Sequence, residues 1–224
     1  MTDYAAARLH MVEGQLRPNK ITDAALIDAF LATPRERFVP PSFRASAYVD
    51  DDVPLGHGRS LMEPMVLARL LQLADIASED KVLDVACGTG YAAAILARIA
   101  KRVVALESEP SFAQAARMRL GELGCSSVSV VEGKLSQGWR AEAPYDVILV
   151  DGAVGGAIPP AIAEQLAEGG RLVGIVAGDD GIMGAGLGRA VLMTRAEGVL
   201  SSRPIFDAGV ALLPGLERVP SFVF

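Results

Sequence analysis

Lys81-Val-Leu-Asp-Val-Ala-Cys-Gly-Thr-Gly-Tyr91, followed by Val103-Val-Ala-Leu106 and then Glu107, is the stretch whose reading decides the fold. Val82 to Val85 is a short apolar run of the kind that makes a strand buried on both faces. Gly88 and Gly90 supply a tight turn out of it, because glycine tolerates positive φ and lets a neighbour approach the backbone. Tyr91 to Ile99 then carries a helical pattern, and Val103 to Leu106 is a second buried strand with an acid at its tip. Strand, glycine turn, helix and strand form the repeating unit of a parallel sheet covered by helices.

The same residues point to a ligand. Asp84, Gly88 and Gly90 keep a D-x-x-x-G-x-G spacing, with Ala86 where a first glycine often stands. Glu107 follows Gly90 by about 17 residues, close to the interval at which nucleotide-binding folds set a carboxylate on ribose hydroxyls. For a dinucleotide, a third glycine is expected at 91 or 93, which are Tyr91 and Ala93, and the loop offers no arginine or lysine to a pyrophosphate. Asp84 would repel a pyrophosphate but suits the ammonium group of a methionine moiety. The expected cofactor is therefore S-adenosyl-L-methionine, on Asp84, Ala86, Gly88, Thr89, Gly90 and Glu107.

On the N-terminal side, residues 1 to 34 carry two helical stretches, Ala6, Leu9, Val12 and Leu16 in one and Ala25, Leu26, Ala29 and Phe30 in the other. Pro18 separates them, and Thr22 is the expected cap of the second. Pro34 to Pro41 ends helical structure, an irregular arm runs to about residue 60, and Glu63 to Ala74 is a helix. On the C-terminal side, a helix over Pro110–Leu123 and strands over Val128–Val131 and Tyr145–Asp151 continue the alternation. After a short loop at Pro159-Pro160, a helix through Leu166 is expected to stop at Gly169-Gly170, before a strand over Arg171–Val176. Ala190–Arg195 and Val210–Leu213 read as an antiparallel pair at the sheet edge. The five glycines of Gly178–Gly188 read as a mobile surface loop. The division expected is one domain over 1–224, with an arm and loop to residue 60 and a Rossmann-like core from residue 61.

The chain has 224 residues, of which 51% are apolar, and a net charge of −6. Its arginines are scattered rather than striped, which argues against nucleic acid as a partner. Cys87 and Cys125 are too few for a disulfide framework and lack metal-ligand spacing, so no metal and a reducing, cytoplasmic setting are expected. Cys87 reads as a small apolar filler. Neither a signal-like leader nor a run of about 18 apolar residues is visible, so no membrane partner is expected.

A series of segments in order along most of the chain resembles the protein-L-isoaspartate O-methyltransferase family. Met11-Val-Glu-Gly-Gln-Leu16 is similar to its M-x-x-x-Q-L, and Pro34-Arg-Glu-Arg-Phe-Val-Pro40 to its V-P-R-E-x-F-V-P. Ala47-Tyr48, Asp50 and Pro54-Leu-Gly56 follow its A-Y-x-D and P-I-G, and Pro159, Gln165 and Gly169-Gly170 its later pattern. The resemblance implies a class I methyltransferase fold, a mostly parallel seven-stranded sheet with helices on both faces. It also implies S-adenosylmethionine as donor and, as substrate, proteins or peptides with damaged, isoaspartyl residues. The oligomeric state is not implied.

The departures lie on the acceptor side. The family's G-x-G-Q-T-I-S-x-P reads Gly56-His-Gly-Arg-Ser-Leu-Met-Glu-Pro64 here. Ser60 keeps a hydroxyl at the threonine position, Leu61 lies beside the cofactor, and Met62 replaces the serine at the reaction with a thioether that donates no hydrogen bond. The family's G-D-G reads Gly133-Lys134-Leu135, which puts a donor where an aspartate would face the adenine. Asp151 replaces a small or hydroxyl residue at a strand tip, and with Glu63 it sets negative charge near the acceptor. Ser60, Met62 and Asp151 are the candidate catalytic residues, and Lys134 and Leu135 join the cofactor set. Two further readings stay open: a methyltransferase for a small molecule or amine, and a non-catalytic S-adenosylmethionine-binding module.

Overall fold

A computed structural model describes residues 3–178 and 187–217. The arm begins with α1 (Tyr4–Met11), capped by Asp3, widens into a π turn over Val12–Leu16 and tightens into a 3-10 turn over Arg17–Asn19. Its second helix, α2 (Ala24–Ala32), is capped by the Asp23 carboxylate on the Leu26 amide rather than by Thr22. The segment expected to be irregular up to residue 60 contains a hairpin, β1 (Val53–Gly56) and β2 (Arg59–Leu61), that turns through Gly56, His57 and Gly58. After it come α3 (Pro64–Ala74), β3 (Lys81–Val85), α4 (Tyr91–Leu96), β4 (Arg102–Glu107), α5 (Pro110–Glu122) and β5 (Val128–Glu132). The rest is β6 (Tyr145–Gly155), α6 (Pro160–Ala163), β7 (Leu166–Ala177), β8 (Leu187–Ala196) and β9 (Val199–Gly209).

The seven-stranded sheet has the order β5-β4-β3-β6-β7-β8-β9, parallel through β7 and antiparallel at β8 and β9. Val82, Val103, Val147 and Val173 pack into one apolar cluster, with the arm, α3 and α4. Their chain neighbours Leu83, Val104, Ile148 and Leu172 pack into a second, with α6 and Leu135. Alternation into two cores is what a sheet covered on both faces requires, and it explains why these strands are apolar runs without polar alternation. β3 lies between β4 and β6, with Asp84 opposite Ala105 on one side and Leu149 on the other. This register brings the ends of all three strands, and the acids on them, to one edge of the sheet.

Three expected elements differ. The helix after Pro159 ends at Ala163, because the Gln165 carbonyl accepts from the Tyr145 amide and starts the ladder with β6. Gly169-Gly170 therefore lies inside β7, at a bend where a Cβ on Gly170 would stand 2.9 Å from the Ala167 carbonyl. The partner of β8 is β9, joined through Glu197 and Gly198, both at positive φ, a two-residue turn that matches strand twist. Val210–Leu213 instead crosses to the end of β6, where Leu213 donates to Ala153 and Ala153 to Ala211. Most of the Gly178–Gly188 stretch lies outside the described residues, and Gly188 itself belongs to β8.

Candidate active site

Asp84 sits near the end of β3, fully buried, and neither carboxylate oxygen has a hydrogen-bond partner. Burial, then the charges of Asp151 and Glu107, push its pKa well above the ordinary carboxylate range, with Arg59 opposing them. A buried polar group left unpaired costs about 1–3 kcal/mol, more if charged, so this acid is kept at the expense of stability. Glu107, at the tip of β4, is also fully buried but fully bonded. Its Oε2 accepts from the Gly88 amide at 2.8 Å, and its Oε1 from the amides of Ser108 at 2.7 Å and Glu109 at 3.0 Å. Between the two acids runs the turn, with Gly88 at φ 55° and Gly90 at φ 95°. A Cβ on Gly90 would press on Ala116 and Leu120 of α5 at 3.2 Å, so that glycine serves helix packing, whereas Gly88 faces the hairpin.

The groove between the turn and Glu107 is filled by Arg59, which is 6% exposed. Its Nη1 donates to Glu107 Oε1 at 2.9 Å and its Nη2 to the Ala86 carbonyl at 2.5 Å. The guanidinium lies 6.0 Å from the centre of the Phe112 ring. Nη2 is 4.0 Å from where a Gly88 Cβ would be.

Ser60, Met62 and Asp151 come together, as the sequence places them, around a cleft that Asp52, Arg59 and the crossing segment Val210–Leu213 also line. The cleft holds about 10 Å³ of free space, room for a single water at most. Asp52 ties its walls together, accepting from the Glu63 amide at 2.8 Å and from the Ala211 amide at 3.4 Å. Arg35, fully buried, fixes the floor by donating to the Ala47 carbonyl at 2.6 Å and the Met62 carbonyl at 2.7 Å. Burial pushes Asp151 up to about 7, Arg59 and Arg35 opposing and Asp52 and Glu107 adding to the rise. Glu63 also rises to about 7, through burial and the neighbouring Asp50, Asp52 and Asp51. These acids are therefore not the fixed negative charges that their sequence positions suggest, and near neutral pH each is partly protonated.

Other candidates fall outside the groove. The Thr89 hydroxyl is committed to the Phe38 carbonyl at 2.5 Å and ties the turn to the arm. Leu61 is buried in the main apolar core and pairs with Val53. Leu135 is buried beside Trp139 in the second core, while Lys134 is exposed and makes no ion pair among the described residues. The donor expected to oppose adenine from Lys134 is thus a solvent-facing side chain. His57 is exposed and stacks edge-on against Phe112, with ring centres 5.6 Å apart. Sequence reasoning passed over Arg59, Arg35 and Asp52. Arg59 had a signal, since it stands at the glutamine of the G-x-G-Q-T motif, and Arg35 is the arginine of P-R-E; Asp52 had none.

A family model described as Protein-L-isoaspartate(D-aspartate) O-methyltransferase matches residues 7–181. The chain belongs to the protein-L-isoaspartate O-methyltransferase family. It is 42% identical over 173 residues to the protein-L-isoaspartate O-methyltransferase of Koribacter versatilis, spanning 77% of this chain and 78% of that one. It is 44% identical over 173 residues to that of Methylorubrum populi, spanning 77% and 80%. A solved protein-L-isoaspartate O-methyltransferase superposes with a TM-score of 0.79 at 24% identity, over 94% of this chain and 67% of that one, which shows the shared fold. So family membership rests on sequence, and the seven-stranded architecture is that of protein-L-isoaspartate O-methyltransferases. Among the described residues, no helix is long and apolar enough to cross a membrane.

Proposed function

We propose that this member of the family transfers the methyl group of S-adenosylmethionine to the free carboxylate of isoaspartyl residues in damaged proteins and peptides. Asp84 is the observation that carries the donor half. A buried carboxylate without a partner, at the strand end beside a glycine turn, fits a ligand ammonium group. Glu107 lies one strand over, where a carboxylate serves a ribose diol. The residue set fits the cofactor, with Asp84 for the ammonium, Glu107 for the diol and Phe112 as an aromatic wall. When bound, S-adenosylmethionine supplies a methyl group activated by its sulfonium.

The chain's own contribution is modest because the acceptor is a carboxylate with a pKa of about 4, ionised at neutral pH and needing no general base. Its residues have to align the acceptor and exclude water. Ser60 carries the hydroxyl available to an acceptor carboxylate on the cleft wall, since Met62 carries none. Arg35 holds the backbone of Met62 and thereby the strand on which Ser60 sits. Partial protonation of Asp151 lowers the charge an anionic acceptor meets, while Glu63 does not line the cleft. At full charge about 4 Å away, one such acid would cost roughly 4 kcal/mol at an effective dielectric near 20.

Incubation with an isoaspartyl peptide and methyl-labelled donor tests this reading, with base-labile peptide methyl ester as the expected product. If S-adenosyl-L-homocysteine binds but the peptide is not methylated, a second reading takes over, a small-molecule or amine acceptor favoured by the acids Asp52 and Asp151 on the cleft wall. Absence of S-adenosyl-L-homocysteine binding at millimolar ligand would sink the donor assignment itself. A single domain working in the cytoplasm belongs to the same proposal, supported by a core shared between arm and sheet and by two free cysteines.

A further inference from the structure

Arg59 occupies the groove that the donor reading assigns to the cofactor, and it does so with the groups a ribose would use. Glu107 accepts four N–H bonds, from Gly88, Ser108, Glu109 and Arg59. Three of them, with the Ser108 hydroxyl at 3.4 Å, fall on Oε1, while Oε2 accepts only from Gly88. Oε1 is thus more than filled, and a diol, which takes both oxygens, needs Arg59 to withdraw from it. Three of the four donors are backbone amides of the turn and of the chain just after β4, fixed by the fold. The fourth is the tip of a long side chain on a two-stranded hairpin whose turn, Gly56-His57-Gly58, stands entirely at positive φ. Glu107 stays well bonded without Arg59; Arg59 is the only one of the four that can leave.

Its second contact makes the same point. The Ala86 carbonyl it holds belongs to the turn, and its guanidinium lies near Gly88 and 6.0 Å from the centre of the Phe112 ring. A planar, cationic group therefore lies close to the glycine turn and within reach of an aromatic ring, in the place that the donor reading gives to an adenosyl group. We propose that Arg59 is an internal competitor for the donor site, which the cofactor enters only as the guanidinium gives up Glu107. The proposal rests on the S-adenosylmethionine reading above. It makes donor affinity a property of residue 59, because a ligand that binds only the Arg59-out form has its intrinsic dissociation constant divided by the fraction of molecules in that form, which raises it. Displacement also leaves the cation at the wall of the cleft lined by Asp52 and Asp151, which Arg59 already borders.

Calorimetric titration of the full chain with S-adenosyl-L-homocysteine, adenosine and methionine, using the wild type, Arg59→Gln and Arg59→Lys, tests this. A buried charged hydrogen bond that must be broken corresponds to about a tenfold or larger loss of affinity. Arg59→Gln is therefore expected to bind S-adenosyl-L-homocysteine and adenosine about tenfold or more tightly than wild type. Arg59→Lys, which keeps the charge but not the fork, is expected between them. Methionine, which lacks the ribose, should gain nothing. Thermal melts check folding and are expected to show no stabilisation of the ligand-free Gln variant. Equal or weaker binding by a folded Gln variant, or by the Lys variant if Gln does not fold, overturns the competitor role. Lack of binding by all three proteins overturns the donor reading, and the competitor role with it.

Discussion

The donor edge and the acceptor wall of this molecule are a few residues apart in space and are built in opposite ways. Asp84, the glycine turn and Glu107 sit at the ends of two paired strands, and the register of β3 with β4 places them. The wall around Ser60, Met62 and Asp151 is assembled from four separate pieces: Arg35 of the arm, Asp52 with the hairpin it leads into, the stretch of β6 where its ladder with β7 shifts register, and Val210–Leu213. Register is shared by every strand in the sheet and cannot drift at one position without shifting its neighbours. A wall of loops and side chains can change one residue at a time. The residues by which the sequence departs from the pattern it resembles, Met62 and Asp151, accordingly lie on the acceptor wall.

The largest effect that would test this contrast is at Asp84. Asp84→Asn removes the only buried carboxylate in the donor groove that lacks a partner among the described residues, and S-adenosyl-L-homocysteine should bind about tenfold to a hundredfold more weakly. Ligand-free stability should stay level or rise, since burial makes ionised Asp84 a cost to the fold. Calorimetry and a thermal melt on the same sample check both. Falling stability together with falling affinity would make Asp84 part of the scaffold and erase the distinction.

On the other side, Asp151→Asn should improve use of an isoaspartyl peptide where Asp151 is charged. Burial holds its pKa near 7, above about 3.9 in an unfolded chain. The stability contributed by its proton is thus complete below about pH 4 and is lost as pH rises through about 7. At about pH 8 the Asn variant should show a several-fold lower KM for the peptide and a higher melting temperature, by about 3 °C if the gain is near 1 kcal/mol. At about pH 5 the KM difference should vanish, whereas the melting difference should only shrink and should disappear below about pH 4. A KM difference that does not change with pH would place Asp151 away from the acceptor.

The same contrast explains what could be read from the amino-acid order alone. Val82–Val85 and Val103–Leu106 declare buried parallel strands by composition, and Glu107 declares the crevice by its distance from Gly90, so the sheet and the donor edge are local in sequence. The ladder of β8 with β9 was hidden because Glu197-Gly198 is a turn signal only beside two recognised strands, and the exposed β9 has no apolar alternation. Arg59 and Asp52 escaped for a different reason. Their roles come from what lies across the groove from them, residues 48 and 159 positions away, and no periodicity encodes that.

Smaller effects sharpen the boundary between the two regions. Thr89 lies inside the glycine motif, yet its hydroxyl reaches the arm at Phe38. Thr89→Val should leave the Phe38 carbonyl unpaired and cost about 1 kcal/mol, or roughly 3 °C in melting temperature. S-adenosyl-L-homocysteine affinity should stay within about twofold. A larger loss of affinity would show that the hydroxyl exchanges its backbone partner for the ligand.

The smallest effect is expected at Ala86, where an L side chain stands at φ 71° in the turn itself. The left-handed region costs a residue with a Cβ about 1–2 kcal/mol, whereas glycine there costs about 0.5–1 kcal/mol in chain entropy. Ala86→Gly should therefore raise stability by about 0–1.5 kcal/mol, centred below 1, seen as a melting shift of roughly 2 °C. The position is tolerated because its neighbours hold it on both sides. The Ala86 and Cys87 amides both donate to the Leu106 carbonyl, at 2.9 and 3.1 Å, and the Ala86 carbonyl accepts from Arg59. Two amides on one carbonyl at the end of β4 pin the turn to the strand that carries Glu107, so the donor edge keeps its geometry with or without the glycine. A destabilised Gly variant would mean that the alanine methyl, not the β4 carbonyl, holds the turn in place.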